Sequence, residues 1–258
     1  MPANFVPLTN SILAAMAARG VSRGDIAATL QRMGGEVPGG TARMLRAARA
    51  RGVDLVVVSD CNSVFISHVL ASARLLGCVS KIITNPAAFV ADGGAADAEQ
   101  AAPQREQRSR LLIAPRRAAP HGCPRCPENL CKGEELQAVL AAGGFARVVY
   151  GGDGANDICP ALQLREGDML LARRGCSLSE FVTAPHGAAA AAGEGAGAGE
   201  GEARLRAEVQ LWETHDELAA LVEKLTSSCG GLADGGQDGG ASAVVSTGLD
   251  AAVAAAAC

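Results

Sequence analysis

The sequence predicts an α/β fold, a parallel sheet with helices on its faces. Three observations carry this. Short continuous apolar runs at residues 55–58 and 147–150 lack polar alternation, as strands covered on both faces do. Segments of helical length lie between such runs. Two of the runs end in polar, turn-prone clusters, Ser59-Asp60-Cys61-Asn62 and Asp153-Gly154-Ala155-Asn156-Asp157. Ligands of parallel sheets sit beyond the carboxyl ends of the strands, so both clusters are expected to open onto one crevice.

The elements follow in order. Residues 8–18 and 25–33 read as short amphipathic helices, the second opened by Ser22 and Asp25 as a capping box. Residues 41–50 form a third helix, rich in Arg. The strand at 55–58 is followed by a helix over 63–76. Strands at 81–84 and 110–113 flank a polar, turn-rich insertion at 91–107. A helix over 132–142 leads to the strand at 147–150, and 169–172 is a further strand. Residues 209–212 read as an edge strand, and Thr214 with Glu217 caps a last helix ending near Leu225.

Composition limits how much of the chain packs. Of 258 residues, 52 are Ala and 32 are Gly, and aromatics make up only 3%. Without the alanines, the apolar share falls from 48% to about 28%. The Ala/Gly residues concentrate at 91–107, in a low-complexity linker at 186–203 and in a tail over 229–258, which are expected to be loops or disordered. The net charge of −4 argues against a nucleic-acid partner. No run of 18 apolar residues suggests a membrane span, and residues 1–13 do not read as a secretory signal. Nine cysteines without such a signal read as reduced thiols, so a cytoplasmic location is expected.

The strand-end clusters carry the chemistry. Asp153 and Asp157 suit a hard cation, above all Mg²⁺, which takes one or two carboxylates plus phosphate oxygens. A strand-to-helix turn with an Asp cap reads equally well from the same string. Ser59, before a helix start, can cradle phosphate with the backbone N–H groups that follow, or can serve as an ordinary cap. Lys132 opens a helix and can offset phosphate charge, although lone lysines are usually solvated.

In that order, a strand-end Ser, a helix-start Lys and a strand-end GDGxxD resemble the second, third and fourth motifs of the haloacid dehalogenase superfamily of phosphohydrolases. Longer strings sharpen the likeness. VVVSDCNSVFI (56–66), TNPAAF (84–89), HGCPRCPENLCKG (121–133) and YGGDGANDICPAL (150–162) resemble the phosphoethanolamine/phosphocholine phosphatase family. That family includes pyridoxal-phosphate, thiamine-phosphate and pyrophosphate phosphatases. RRGCSL (173–178) and WET (212–214) fit it too, and the likeness runs from about residue 5 to residue 225.

The resemblance implies a Mg²⁺-dependent phosphatase of small phosphorylated metabolites, on a Rossmann-like core over 51–185 and 204–228. Residues 1–50 would be a partial helical cap. Asp153 would ligate Mg²⁺ with Asp157 in support. Ser59 would hold the transferring phosphate, Asp60 and Asn62 would contact substrate, and Lys132 would neutralise charge. The superfamily's first motif, a central strand ending in Asp-x-Asp-x-Thr, supplies the nucleophile and the general acid/base. No Asp-x-Asp occurs in these 258 residues. The central first strand is therefore expected to be missing, through N-terminal truncation, leaving the chain inactive as written. A gap of twice the strand spacing of about 4.8 Å, or a collapse, would follow. The alternative is a non-catalytic remnant that binds Mg²⁺, phosphate or partners.

A separate reading takes His121, Cys123, Cys126 and Cys131 as a closed zinc site, H-x-C-x₂-C-x₄-C. Otherwise these are reduced thiols in a loop that positions Lys132. Cys159 reads as small core packing, His68 as a partly buried histidine and His215 as solvated. Trp212 reads as the anchor of the last helix, and Arg173-Arg174 as a surface pair.

Overall fold

The structure, a computed structural model, describes residues 5–91, 109–142, 144–184, 204–227 and, for the backbone alone, 243–246. Apart from Ala91 and residues 243–246, the insertion, the linker and the tail named above lie outside the described residues. Helix α1 is Phe5–Ala18, α2 is Arg23–Gly35 and α3 is Gly39–Ala50. The Ser22–Asp25 capping box forms, with Ser22 Oγ accepting from the Asp25 N–H and the Asp25 carboxylate accepting from the Ser22 N–H. Strand β1 is Val56–Asn62 and helix α4 is Ser63–Ser72. α4 stops short of the expected residue 76 because Arg74 adopts the left-handed conformation, with φ 57°. β2 is Lys81–Asn85, β3 is Ala87–Ala91 and β4 is Ser109–Ile113. Then come α5 (Lys132–Ala141), β5 (Arg147–Gly152), α6 (Ile158–Ala161), β6 (Met169–Arg173), α7 (Ser177–Thr183), β7 (Glu208–Trp212), α8 (His215–Ser227) and β8 (Ala243–Ser246).

The fold is the expected α/β arrangement, with parallel strands flanked by helices. β7, β6, β5 and β8 form one parallel sheet in that order, with β7 at its edge. β1 and β2 form a second parallel pair. Side chains alternate across these strands and divide the core in two. Leu55, Val57, Val149, Met169 and Leu171 face one layer, which α2, α3, α4 and α8 cover with Leu30, Met44, Leu45, Leu70 and Val222. Val56, Val58, Val148, Tyr150, Leu170 and Ala172 face the other, covered by Leu136 and Val139 of α5, Ala161 of α6 and Leu178 of α7. That double cover explains the continuous apolar runs.

Three features depart from the sequence reading. First, residue 50 is not a packing boundary. Met44, Leu45 and Ala48 of α3 are completely buried in the main core, where α3 lies against α8. α1 packs through Val6 and Leu13 onto Leu111 and Ile113, and Ile26 of α2 touches both this cluster and the main core. Second, β3 and β4 form an antiparallel hairpin outside the parallel sheets. Third, β8 pairs with β5 in parallel, with Tyr150 opposite Ser246, and lies beside β1. The place beside β5 expected to be a gap therefore holds a strand drawn from the Ala/Gly-rich tail.

Candidate active site

At the carboxyl end of β1 the ladder with β2 loses register between Val58 and Asn62, which bulges Ser59–Cys61 out of the strand. Ser59 is buried, and its Oγ accepts the Cys61 N–H at 3.1 Å. Asn85, at the end of β2, clamps the bulge. Its Nδ2 donates to the carbonyls of Asp60 (2.7 Å) and Cys61 (2.8 Å). Its Oδ1 accepts from the Arg116 N–H and from Asn129 Nδ2, tying the bulge to the Cys-rich loop. Asn62 is buried and caps α4, its Oδ1 accepting the Phe65 N–H at 3.0 Å. The amide oxygen of Asn62, expected to contact substrate, therefore serves the helix.

The second cluster leaves β5 at Gly152. The chain folds back so that Asp157 Oδ2 accepts the N–H groups of Asp153 and Gly154, both at 3.0 Å. A Cβ on Gly152 would lie 2.7 Å from Asp157 Cγ, so this fold-back needs glycine at 152. Asp157 Oδ1 accepts from Lys132 Nζ at 3.0 Å and from the Tyr150 hydroxyl at 2.7 Å. A carboxylate offers about four lone-pair sites, and four protein donors occupy them here. Asp157 as a metal ligand therefore does not fit these contacts; it organises the loop and holds Lys132. Burial alone would push its carboxyl up. The Lys132 ammonium, the Tyr150 hydroxyl and the Gly154 N–H outweigh that and hold it below the usual carboxylate range. Asp153 remains partly exposed, and its carbonyl accepts the Leu178 N–H at the start of α7.

The two strand ends meet directly. Asn156 Nδ2 donates to Asp60 Oδ2 at 2.9 Å, across 96 positions of sequence. Ser59, Asp60, Lys132, Asp153 and Asp157 are thus gathered beyond the carboxyl ends of parallel strands. The sequence reading gave no role to Asn156, Asn85, Asn129 or Tyr150. Tyr150 alone left a signal, as the one tyrosine of the chain at the end of a buried strand.

Other candidates fall elsewhere. His121 is committed to its own loop. Its Nδ1 accepts the Cys123 N–H, and its Nε2 then donates to the Pro127 carbonyl at 2.8 Å. It therefore does not complete a zinc set with Cys123, Cys126 and Cys131. Cys159 is buried in a small core cluster, as the core-packing reading expects, and its neighbours there are those thiols. His68 is exposed rather than partly buried. His215 is partly buried rather than solvated, its Nδ1 lying 2.9 Å from Thr41 Oγ1. Trp212 is buried, with its ring beside His215 and under the Arg173 guanidinium.

Comparison with known proteins agrees with this geometry. The family model described as "Putative Phosphatase" matches residues 1–226. A pyridoxal phosphate phosphatase of Bos taurus is 35% identical over 135 residues, 49% of this chain and 47% of that protein. A thiamine phosphate phosphatase-like protein of Arabidopsis thaliana is 27% identical over 228 residues, 86% of this chain and 79% of that protein. An inorganic pyrophosphatase of the same plant is 30% identical over 146 residues, 54% and 47% of the two chains. The match spans about half the length of most of these relatives. No solved structure gives a significant match. The chain belongs to this phosphatase family, of the haloacid dehalogenase type.

Proposed function

We propose that this chain binds the phosphate of small phosphomonoesters together with Mg²⁺, as part of a phosphatase. The observation that carries the reading is the pair of contacts Asn156–Asp60 and Lys132–Asp157, which draws three distant clusters together at the strand ends. Of the two acidic residues in the GDGxxD string, Asp157 is saturated by protein donors, so Asp153 would hold the Mg²⁺. The partly exposed, hard oxygen donor at Asp153 fits such an ion. When bound, Mg²⁺ neutralises phosphate charge. Ser59 would hold the transferring phosphate, and Asp60, tethered by Asn156, would face the rest of the substrate. Lys132 would add positive charge, moderated by Asp157.

Pyridoxal phosphate and thiamine phosphate lead the substrate candidates, with phosphoethanolamine and phosphocholine beside them. The reading places the protein in the cytoplasm, where its thiols stay reduced. No helix of the described residues is long and apolar enough to cross a membrane.

The 258 residues hold no Asp-x-Asp, the motif that carries the nucleophile in this superfamily. The chain by itself is therefore expected to bind without turnover, which also favours the second reading, a non-catalytic binder. Calorimetric titration with pyridoxal phosphate and inorganic phosphate, with and without Mg²⁺, tests binding, and a phosphate-release assay tests turnover. Mg²⁺-dependent binding that Asp153→Asn weakens about tenfold or more is the expected result. Absence of binding by the wild-type chain would overturn the site. Turnover abolished by Asp153→Asn would overturn the expectation of inactivity.

A further inference from the structure

Four thiols outside the phosphate site come together from two loops. Cys123, Cys126 and Cys131 lie on the segment leading into α5, and Cys159 lies on α6, just after the Asp153–Asp157 loop. All four Sγ atoms lie within 4.8 Å of one another. Cys126, Cys131 and Cys159 are buried, and Cys123 is partly so. The Cys159 Sγ is 3.6 Å from that of Cys123 and 3.8 Å from that of Cys131. A zinc ion with Zn–S bonds of about 2.3 Å holds its four sulfurs about 3.8 Å apart along the edges of a tetrahedron. A disulfide would bring two of them to about 2.05 Å and leave the other two unpaired.

We propose that Cys123, Cys126, Cys131 and Cys159 form a tetrathiolate site for a structural zinc ion. The spacing is C-x₂-C-x₄-C with a distant fourth ligand. It supplies the two-residue knuckle that zinc sites commonly use, and a closed set of four with no position left for water. Outer contacts suit thiolates. The N–H groups of Lys132 and Gly133, in the first turn of α5, point at Cys126, where the helix dipole also favours negative charge. The Cys126 thiol donates to the Asn156 carbonyl at 3.8 Å, and that contact would be given up when the thiol ionises to bind the ion. Gly133 leaves room for the fourth ligand, because a Cβ there would lie 2.5 Å from Cys159 Sγ.

The ion would replace thiol protons, each released to solvent, and would join the loop before Lys132 to the loop after Asp157. This role is structural and does not depend on the phosphatase reading.

Elemental analysis of the protein purified without affinity-metal resin, under reducing conditions, tests it. About one zinc per chain is expected. Substitution by Co²⁺ should give the strong sulfur-to-cobalt absorption and visible bands of a tetrahedral tetrathiolate. Cys131→Ser and Cys159→Ser should lower zinc content about tenfold. Gly133→Ala, which removes no ligand, should weaken zinc retention against a competing chelator. If the serine variants do not fold, metal content and cobalt spectrum of the wild type still decide. Zinc-free folded protein with all four thiols titratable would overturn the proposal. So would a disulfide among the four in mass analysis, or iron with the absorption of an iron–sulfur cluster.

Discussion

Lys132 and Asp157 are each 1% exposed and their charged atoms lie 3.0 Å apart. At an effective dielectric near 20, their attraction is about 5–6 kcal/mol. Removing both charges from water costs several kcal/mol for each ion, so the intact pair contributes little net stability. Breaking the pair is another matter. Asp157→Asn leaves an ammonium buried without its counter-charge, and should cost about 3–5 kcal/mol. A domain typically has only about 5–15 kcal/mol to lose. Lys132→Met should cost less, because the Tyr150 hydroxyl and the N–H groups of Asp153 and Gly154 still hold the carboxylate. The double variant should be less destabilised than the two single losses added together, by about 1–3 kcal/mol. Urea unfolding at pH 7 measures this, and Trp212, the one tryptophan and buried, reports it by fluorescence. The pH dependence supplies a second arm. A carboxyl held below its unfolded value stabilises fully above about pH 4 and loses that contribution as pH falls through its folded value. Asp157→Asn should therefore flatten the acid limb of stability against pH. Single-variant losses below about 1 kcal/mol, or losses that simply add, would refute the argument.

Gly152→Ala should destabilise by about 1–3 kcal/mol, since its Cβ would press within 2.7 Å of Asp157 Cγ; thermal unfolding measures this. Asp168→Ala removes the buried acceptor of the Val148 N–H (2.9 Å) and the partner of Arg165, and should cost about 1–3 kcal/mol in urea unfolding. His215 offers a mild pH test. Burial and then the Arg173 guanidinium hold its imidazole below the ordinary histidine range, against the opposing pull of Asp216. Its contribution is full above about pH 6.5 and is lost as pH falls through the folded value, so His215→Gln should flatten stability between about pH 7 and 5.

How far the sequence reached depended on whether side chains or distant pairing set the structure. β1, β5 and β6 were legible because Val and Leu runs are buried on both faces. The Ser22–Asp25 box was legible because both partners lie three residues apart, and Glu217 likewise reaches the Glu213 and Thr214 N–H groups. β3 is mostly small residues, Ala-Ala-Phe-Val-Ala, and gains its strand conformation from β4 across the insertion. β8 sits in an Ala/Gly tail and is a strand because β5 presents an open edge to it. In the site, residue types and strand ends were readable, but not how each oxygen was used. Counting the four donors on Asp157 needs coordinates. Asn85, Asn129 and Asn156 looked like ordinary turn residues, and Cys159 stands 28 positions beyond Cys131, outside any local cysteine motif.

The two loops that supply the ion pair also supply the thiols, and this bears on why a costly buried pair is present at all. Cys131 and Gly133 flank Lys132, while Asp157 precedes Cys159 by two residues. A lysine on a surface helix would keep its rotamer freedom and place its charge loosely. Here α5 begins against Cys159, and Asp157 takes the ammonium at a fixed point while its other oxygen closes the Asp153 turn. One carboxylate thus sets both the lysine and the backbone that presents Asp153. Positioning of this kind matters most for phosphate chemistry, where well-placed charge does most of the work. It also makes stability and ligand binding separable. Losing Asp157 disturbs the turn and the lysine together, whereas Asn156→Ala removes only the tether to Asp60 and leaves the buried pair in place.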